Sequence, residues 1–103
     1  LSEKIISQVI RRQIGFNGLL FTDDLSMHAL GGAIGERTDR ALKAGCDVVL
    51  HCNGQAEEMR KVAEICPLMS EQGQQRWETA LKYRREPQTE SRDALLAELE
   101  RII

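Results

Sequence analysis

The sequence predicts an α/β fold with parallel strands, present as one section of a larger sheet, and three observations predict it. First, a helix, glycine, strand and polar-end unit occurs twice in tandem, each copy about 30 residues long, as in βα construction with right-handed crossovers. Aligning Gly15 with Gly45 sets Leu20 on Leu50 and Asp23 on Asn53, so the polar ends of both units fall on the same face of the sheet. Second, Leu19-Leu20-Phe21-Thr22 is too uniformly apolar for a strand with one wet face and suits one covered on both. Third, only one more strand pattern follows, and two parallel strands need neighbours at both edges and helices on both faces. The chain opens on Leu1, inside a helical pattern, and further chain is expected to precede it.

The elements follow in order. Ser2 can cap a helix whose apolar residues Ile5, Ile6, Val9, Ile10 and Ile14 recur at helical spacing, with Glu3 in the first turn and Gly15 just past the end. Asn17-Gly18 turns the chain into the first strand, which stops on Asp23-Asp24. A helical pattern from about Glu36 to Ala44 ends at Gly45, and Asp47 to His51 reads as a second buried strand closing on Cys52-Asn53-Gly54. From Gln55 to Ile65 a third helix carries Met59, Val62, Ala63 and Ile65, and Pro67 stops it. Gln74 to Arg85 looks helical, with Trp77, Leu81 and Tyr83 as its apolar side. Glu86-Pro87-Gln88 is the expected linker, and Ser91 to Ile103 forms a last helix presenting Leu95, Leu96, Leu99, Ile102 and Ile103.

Composition narrows the function classes. A chain of 103 residues, 42% hydrophobic and 29% charged, is enough for one small folded unit. Its net charge of −2 gives no reason to expect nucleic acid, which needs a concentrated basic face. The dense cluster Lys82, Arg84 and Arg85 reads as a solvated helix end. Three cysteines, Cys46, Cys52 and Cys66, form no C-x-x-C pair, against both a disulfide framework and a structural zinc site, and are expected as reduced thiols. No leader pattern and no bilayer-length apolar run occurs, so no membrane partner is expected.

The chemistry is expected at the acidic pair. A buried strand that stops on two adjacent carboxylates, followed by a loop with Gly31-Gly32, is built like the rim of an α/β active site. The same pair also serves elsewhere as an Asx turn or a helix N-cap. Asp23, read as the first residue past a rigid strand, is well placed to hold a carboxylate still. Asp24, pointing the other way, is read as bracing the loop or capping the next turn.

The run Ile14-Gly15-Phe16-Asn17-Gly18-Leu19-Leu20-Phe21-Thr22-Asp23-Asp24-Leu25-Ser26-Met27 resembles the signature segment of family-three glycoside hydrolases, in particular their bacterial single-domain β-N-acetylglucosaminidases. Glu36-Arg37, Ala41 to Leu50 and Cys52-Asn53 resemble the segment that follows there, and the similarity covers roughly Leu1 to Ile65. The resemblance implies a TIM barrel, a (β/α)8 fold of which residues 1–67 supply the last two βα units, with residues 68–103 as a C-terminal helical extension. It implies Asp23 as the nucleophile that attacks a terminal β-linked N-acetylglucosamine, with a covalent glycosyl-enzyme and overall retention. The implied substrate is a carbohydrate, namely peptidoglycan fragments carrying 1,6-anhydro-N-acetylmuramic acid, processed in the cytoplasm without cofactor or metal. The family's proton donor, a histidine paired with an aspartate on an earlier mobile loop, has no counterpart here. The missing N-terminal barrel, or another chain, is expected to cover the strand edges, and the chain alone is expected to be inactive.

Other residues carry weaker expectations. Met27 could line the sugar pocket, with core packing as the plainer role. His28 is expected in a loop, His51 as a hydrogen-bonded core or rim residue, and Asn53 at the same mouth as Asp23. Two readings of other classes stand beside the hydrolase. One is a receiver-type domain whose Asp-Asp pair binds Mg²⁺, although the place of its third aspartate is held by His51-Cys52-Asn53. The other is a helical interaction module built on residues 74–103.

Overall fold

The computed structural model describes residues 2–87 and 89–103; Leu1, and Gln88 at the end of the expected linker, lie outside them. The opening helix, Ile5–Gln13, is entered as expected, with Ser2 Oγ accepting from the Ile5 amide at 3.4 Å. It is wound more widely than an α-helix: Ile14 N–H reaches Val9 five residues back at 2.8 Å. The β-branched cluster Ile5, Ile6, Val9 and Ile10 crowds a tight α turn, which favours such loosening. Gly15 then reverses the chain at φ 74°. At Gly18 a Cβ would come within 2.8 Å of the Phe16 ring, so only glycine lets that ring close over the turn.

Strand β1, Phe21–Asp24, pairs in parallel with β2, Val48–Leu50, with Phe21 opposite Val48 and Asp24 opposite Leu50. The parallel arrangement is as predicted, but β1 starts two residues late and takes in the acidic pair. Asp47 causes the shift. Its Oδ2 accepts from Leu20 N–H at 2.9 Å, and the Asp47 and Val48 amides donate to Leu20 O at 2.9 and 3.2 Å. Further along, buried Thr22 inserts its hydroxyl into the ladder, Oγ1 accepting from Leu50 N–H at 2.9 Å. That side-chain substitution explains the irregular register between Phe21 and Asp24.

Helix α1, Ile34–Lys43, links the strands. Its first turn is closed by Glu36, whose Oε2 accepts from Ala33 N–H at 3.2 Å. Leu25, Ile34 and Ala41 form one buried cluster, joined by Leu30, Val49 and Val62. Buried Thr38 is satisfied by donating to Ile34 O at 2.9 Å. After Ala44, Gly45 at φ 105° returns the chain beneath Ile6, which forms the second cluster with Ala44 and Cys46, flanked by Ile10 and Leu20.

Helices α2, Ala56–Ile65, α3, Glu71–Leu81, and α4, Arg92–Ile102, complete the described chain. Helix α3 begins three residues before the expected Gln74 because Ser70 Oγ caps it, accepting from Gly73 N–H at 3.1 Å. It also stops at Leu81, so Tyr83 lies past its end and is exposed. Met59, Ile65, Trp77 and every residue of α4 stay open to solvent. The expectation of strands covered on both faces is corrected too: Phe21 is 49% exposed and Leu50 41%. Among the described residues the sheet has two strands, and α1 packs against β2. No described helix is long and apolar enough to cross a membrane.

Candidate active site

The two carboxylates at the end of β1 are held quite differently. Exposed Asp23 accepts one hydrogen bond, from the Asp24 amide to Oδ1 at 2.8 Å, and Oδ2 has no partner among the described residues. Asp24 is half-buried and fully engaged. Its Oδ1 accepts from Ser26 N–H at 2.9 Å and from Cys52 N–H at 3.1 Å, and its Oδ2 accepts from the Ser26 hydroxyl at 2.6 Å. The Ser26 hydroxyl first, then the backbone donors and His51, hold the Asp24 carboxyl below the ordinary carboxylate range. Asp24 therefore braces the loop and ties the end of β1 to the chain leaving β2. Buried Thr22 and Leu25 flank the pair and fix the strand beneath it.

The loop after the pair is pinned by Arg37 on α1. Its guanidinium donates to Leu25 O at 2.7 Å, Met27 O at 3.2 Å and Gly32 O at 2.9 Å. Three carbonyls gathered on one planar cation fix the path of the loop. Met27 is held there by its backbone, while its side chain is partly exposed and joins neither core cluster. His28 is exposed in the same loop.

The end of β2 forms the second half of the rim. His51, its side chain only 6% exposed, places Nε2 2.9 Å from Glu58 Oε2, and Nδ1 is buried without a partner among the described residues. Asn53 Nδ2 donates to the same Glu58 oxygen at 2.7 Å, while its Oδ1 accepts from Gln55 N–H at 2.9 Å. These donors, His51 first, hold the Glu58 carboxyl below its ordinary value. Asn53 thus stands at the strand end as expected, with its amide committed to the start of α2. The Cys52 thiol is pushed up, first by lost hydration, although the residue remains exposed, and then by the Asp24 and Asp23 carboxylates.

Arg37 and Glu58 are functional-looking residues that the sequence reading missed. Glu58 sits three residues after the N-cap Gln55, the place from which an acid usually turns back on the cap amide. That spacing was the available signal, but Asn53 already holds the cap amide, which frees Glu58 for the rim. Arg37 lies in the stretch that resembles the family, but its role gave no local signal, because its partners are loop carbonyls.

At the opposite end of the strands lies a network of another kind. Asp47, its side chain 7% exposed, receives Arg11 Nη2 on Oδ2 at 2.9 Å and Arg76 Nη1 on Oδ1 at 2.8 Å. Arg11 also donates to Phe16 O and Gly18 O at 3.0 and 2.7 Å. Opening helix, turn, β2 and α3 are locked together there, whereas the free carboxylate oxygen of Asp23 lies at the other rim. That division matches α/β proteins in which one end of the strands carries chemistry and the other stability.

Among the described residues no three His, Cys, Asp or Glu side chains converge as metal ligands do. The receiver-type reading also conflicts with Asp24, whose oxygens are occupied by Ser26 and Cys52. What the arrangement offers is one rigidly mounted carboxylate with a free oxygen, suited to act as nucleophile or base.

Comparison with known proteins places the chain in a family. Residues 1–80 match the model of the glycosyl hydrolase family 3 N-terminal domain. A beta-hexosaminidase of Methylobacillus flagellatus is 50% identical over 54 residues, covering 50% of this chain and 16% of that protein. One from Vibrio cholerae is 43% identical over 67 residues, covering 62% and 20%, and one from Actinobacillus pleuropneumoniae is 48% identical over 54 residues, covering 50% and 16%. The chain therefore spans at most a fifth of the length of these relatives. With the family model matched along most of its length, the chain belongs to glycosyl hydrolase family 3, as part of the N-terminal domain.

Proposed function

We propose that this chain is the closing section of the (β/α)8 barrel of a retaining β-N-acetylhexosaminidase of the NagZ type, with Asp23 as its nucleophile. The asymmetry of the acidic pair carries this reading: both oxygens of Asp24 accept hydrogen bonds, three in all, while Asp23 keeps one carboxylate oxygen without a partner among the described residues at the C-terminal end of a strand. The beta-hexosaminidase names of the relatives support the substrate class. Oδ2 of Asp23 attacks the anomeric carbon of a terminal β-linked N-acetylglucosamine as the glycosidic oxygen is protonated and leaves. Water then cleaves the glycosyl ester with retention. The chemistry needs one nucleophile, one general acid–base and no cofactor, and the acid–base, a histidine paired with an aspartate, comes from a loop outside this chain. Met27, following the nucleophile in a pinned loop, packs against the sugar. The substrates are peptidoglycan turnover fragments bearing 1,6-anhydro-N-acetylmuramic acid, met in the cytoplasm.

The test combines a gene and an assay. Coding sequence upstream of Leu1 is expected to continue in frame through further βα units and a loop histidine. The full-length protein should release chromophore from an aryl β-N-acetylglucosaminide, and Asp23→Ala should lower kcat by roughly 10³-fold or more. The 103 residues alone should release none. Turnover that survives Asp23→Ala would overturn the assignment.

A further inference from the structure

We infer that Glu58 is a positioning residue for Asp23, acting through the loop between β2 and α2; the inference rests on the nucleophile reading above. The connection can be followed atom by atom. Glu58 Oε2 gathers His51 Nε2 at 2.9 Å and Asn53 Nδ2 at 2.7 Å. Asn53 Oδ1 in turn holds the Gln55 amide at 2.9 Å, so residues 51–55 are stapled at both ends to the first turn of α2. Within that staple lies Cys52, whose amide donates to Asp24 Oδ1 at 3.1 Å. The Asp24 amide then fixes Asp23 Oδ1 at 2.8 Å and leaves Oδ2 for attack.

Two features mark Glu58 as more than a helix acid. Its carboxylate is turned away from the cap amide it would ordinarily serve, toward two side chains of the rim. One of these is His51, whose deeply buried ring has no other partner among the described residues, so Glu58 sets the ring's orientation. The neighbouring Glu57, in contrast, points to Arg60 at 2.7 Å on the solvent side.

Because both donors converge on a single oxygen, the chemistry of the test is unusually specific. A glutamine at position 58 keeps an acceptor for both, an alanine keeps none, and an aspartate at position 53 sets two carboxylates against each other. In the full-length enzyme, Glu58→Ala should lower kcat by about ten- to a hundredfold, as displaced catalytic groups do, with KM within about twofold. Glu58→Gln should restore kcat to within about threefold of the parent, Asn53→Asp should behave like Glu58→Ala, and Glu57→Ala should change nothing. Faster amide hydrogen exchange at Cys52 in Glu58→Ala, but not in Glu58→Gln, would show the staple opening. An unchanged kcat in Glu58→Ala, or a loss that Gln fails to restore, would overturn the inference. Asp23→Ala separates the two ideas: if it abolishes turnover while Glu58→Ala leaves kcat unchanged, only the positioning role fails.

Discussion

Asp23 and Asp24 are identical side chains on adjacent residues, and their surroundings give them different work. The strand sends their Cβ atoms to opposite faces, and only Asp24 meets the donors of Ser26 and Cys52. The alternation was legible in the sequence, and so was the bracing role of Asp24. The Cys52 donor was not, because it comes from a residue brought near only by strand pairing. Acid should expose the difference. Asp24 and Glu58 titrate below their ordinary values of 3.8 and 4.5 when folded, so the folded rim binds fewer protons than the unfolded chain. Their contribution to stability is full above those ordinary values and is lost as pH falls through the lowered ones. The amide resonances of Cys52 and Gln55 should therefore hold their positions at pH 5 and move only below the ordinary carboxyl values, later than an unbonded carboxyl would drive them. Movement centred at or above pH 4.5 would contradict the hydrogen bonding described here.

Among the elements, the two glycine-ended helices and the parallel strand pair follow from local pattern, since Gly15 and Gly45 both take the positive φ that a chain reversal needs. The start of β1 and the start of α3 do not. The first depends on Asp47 from 27 residues further along the chain, and the second on the Ser70 cap, which lies in a stretch without hydrophobic rhythm. Asp47 is also where the elements are bound together, because one buried carboxylate serves two largely buried guanidinium groups on the opening helix and α3. Removing it leaves both cations without their partner in a poorly hydrated place. In the full-length protein Asp47→Ala is expected to cost about 3–5 kcal/mol, read as a lower urea midpoint at unchanged slope. Asp39→Ala, which removes only an exposed pair with Lys43 within one helix, should cost no more than about 0.5 kcal/mol. Equal effects of the two would show that the Asp47 network carries no special weight.

For the whole molecule, surface and size argue that this section completes itself against something else. A monomer of 11.6 kDa is expected to expose about 5,800 Å², whereas this chain exposes 8366 Å². Its radius of gyration is 18.2 Å, against about 13 Å for a compact unit of this length. The difference, on this chain alone, exceeds the roughly 1,000 Å² per partner at which obligate interfaces begin. Much of it is apolar, including Phe21 and Leu50 on the strands and the leucines of α4. The sequence announced this through strands too apolar for the cover available, although it could not say which residues would be left bare. The two buried clusters are also small, Ile6 with Ala44 and Cys46, and Leu25 with Ile34 and Ala41. With so little apolar surface leaving water together, the 103 residues alone should lack a steep transition. Circular dichroism is expected to show helix lost gradually on heating, with a small urea slope, and sedimentation should show association that grows with concentration through the open strand edges. The same segment within the longer protein should melt with the whole in one sharp step. A monomeric isolated chain with a sharp two-state melt would mean that the network around Asp47 and the two small clusters suffice, and that the bare strands need no neighbour.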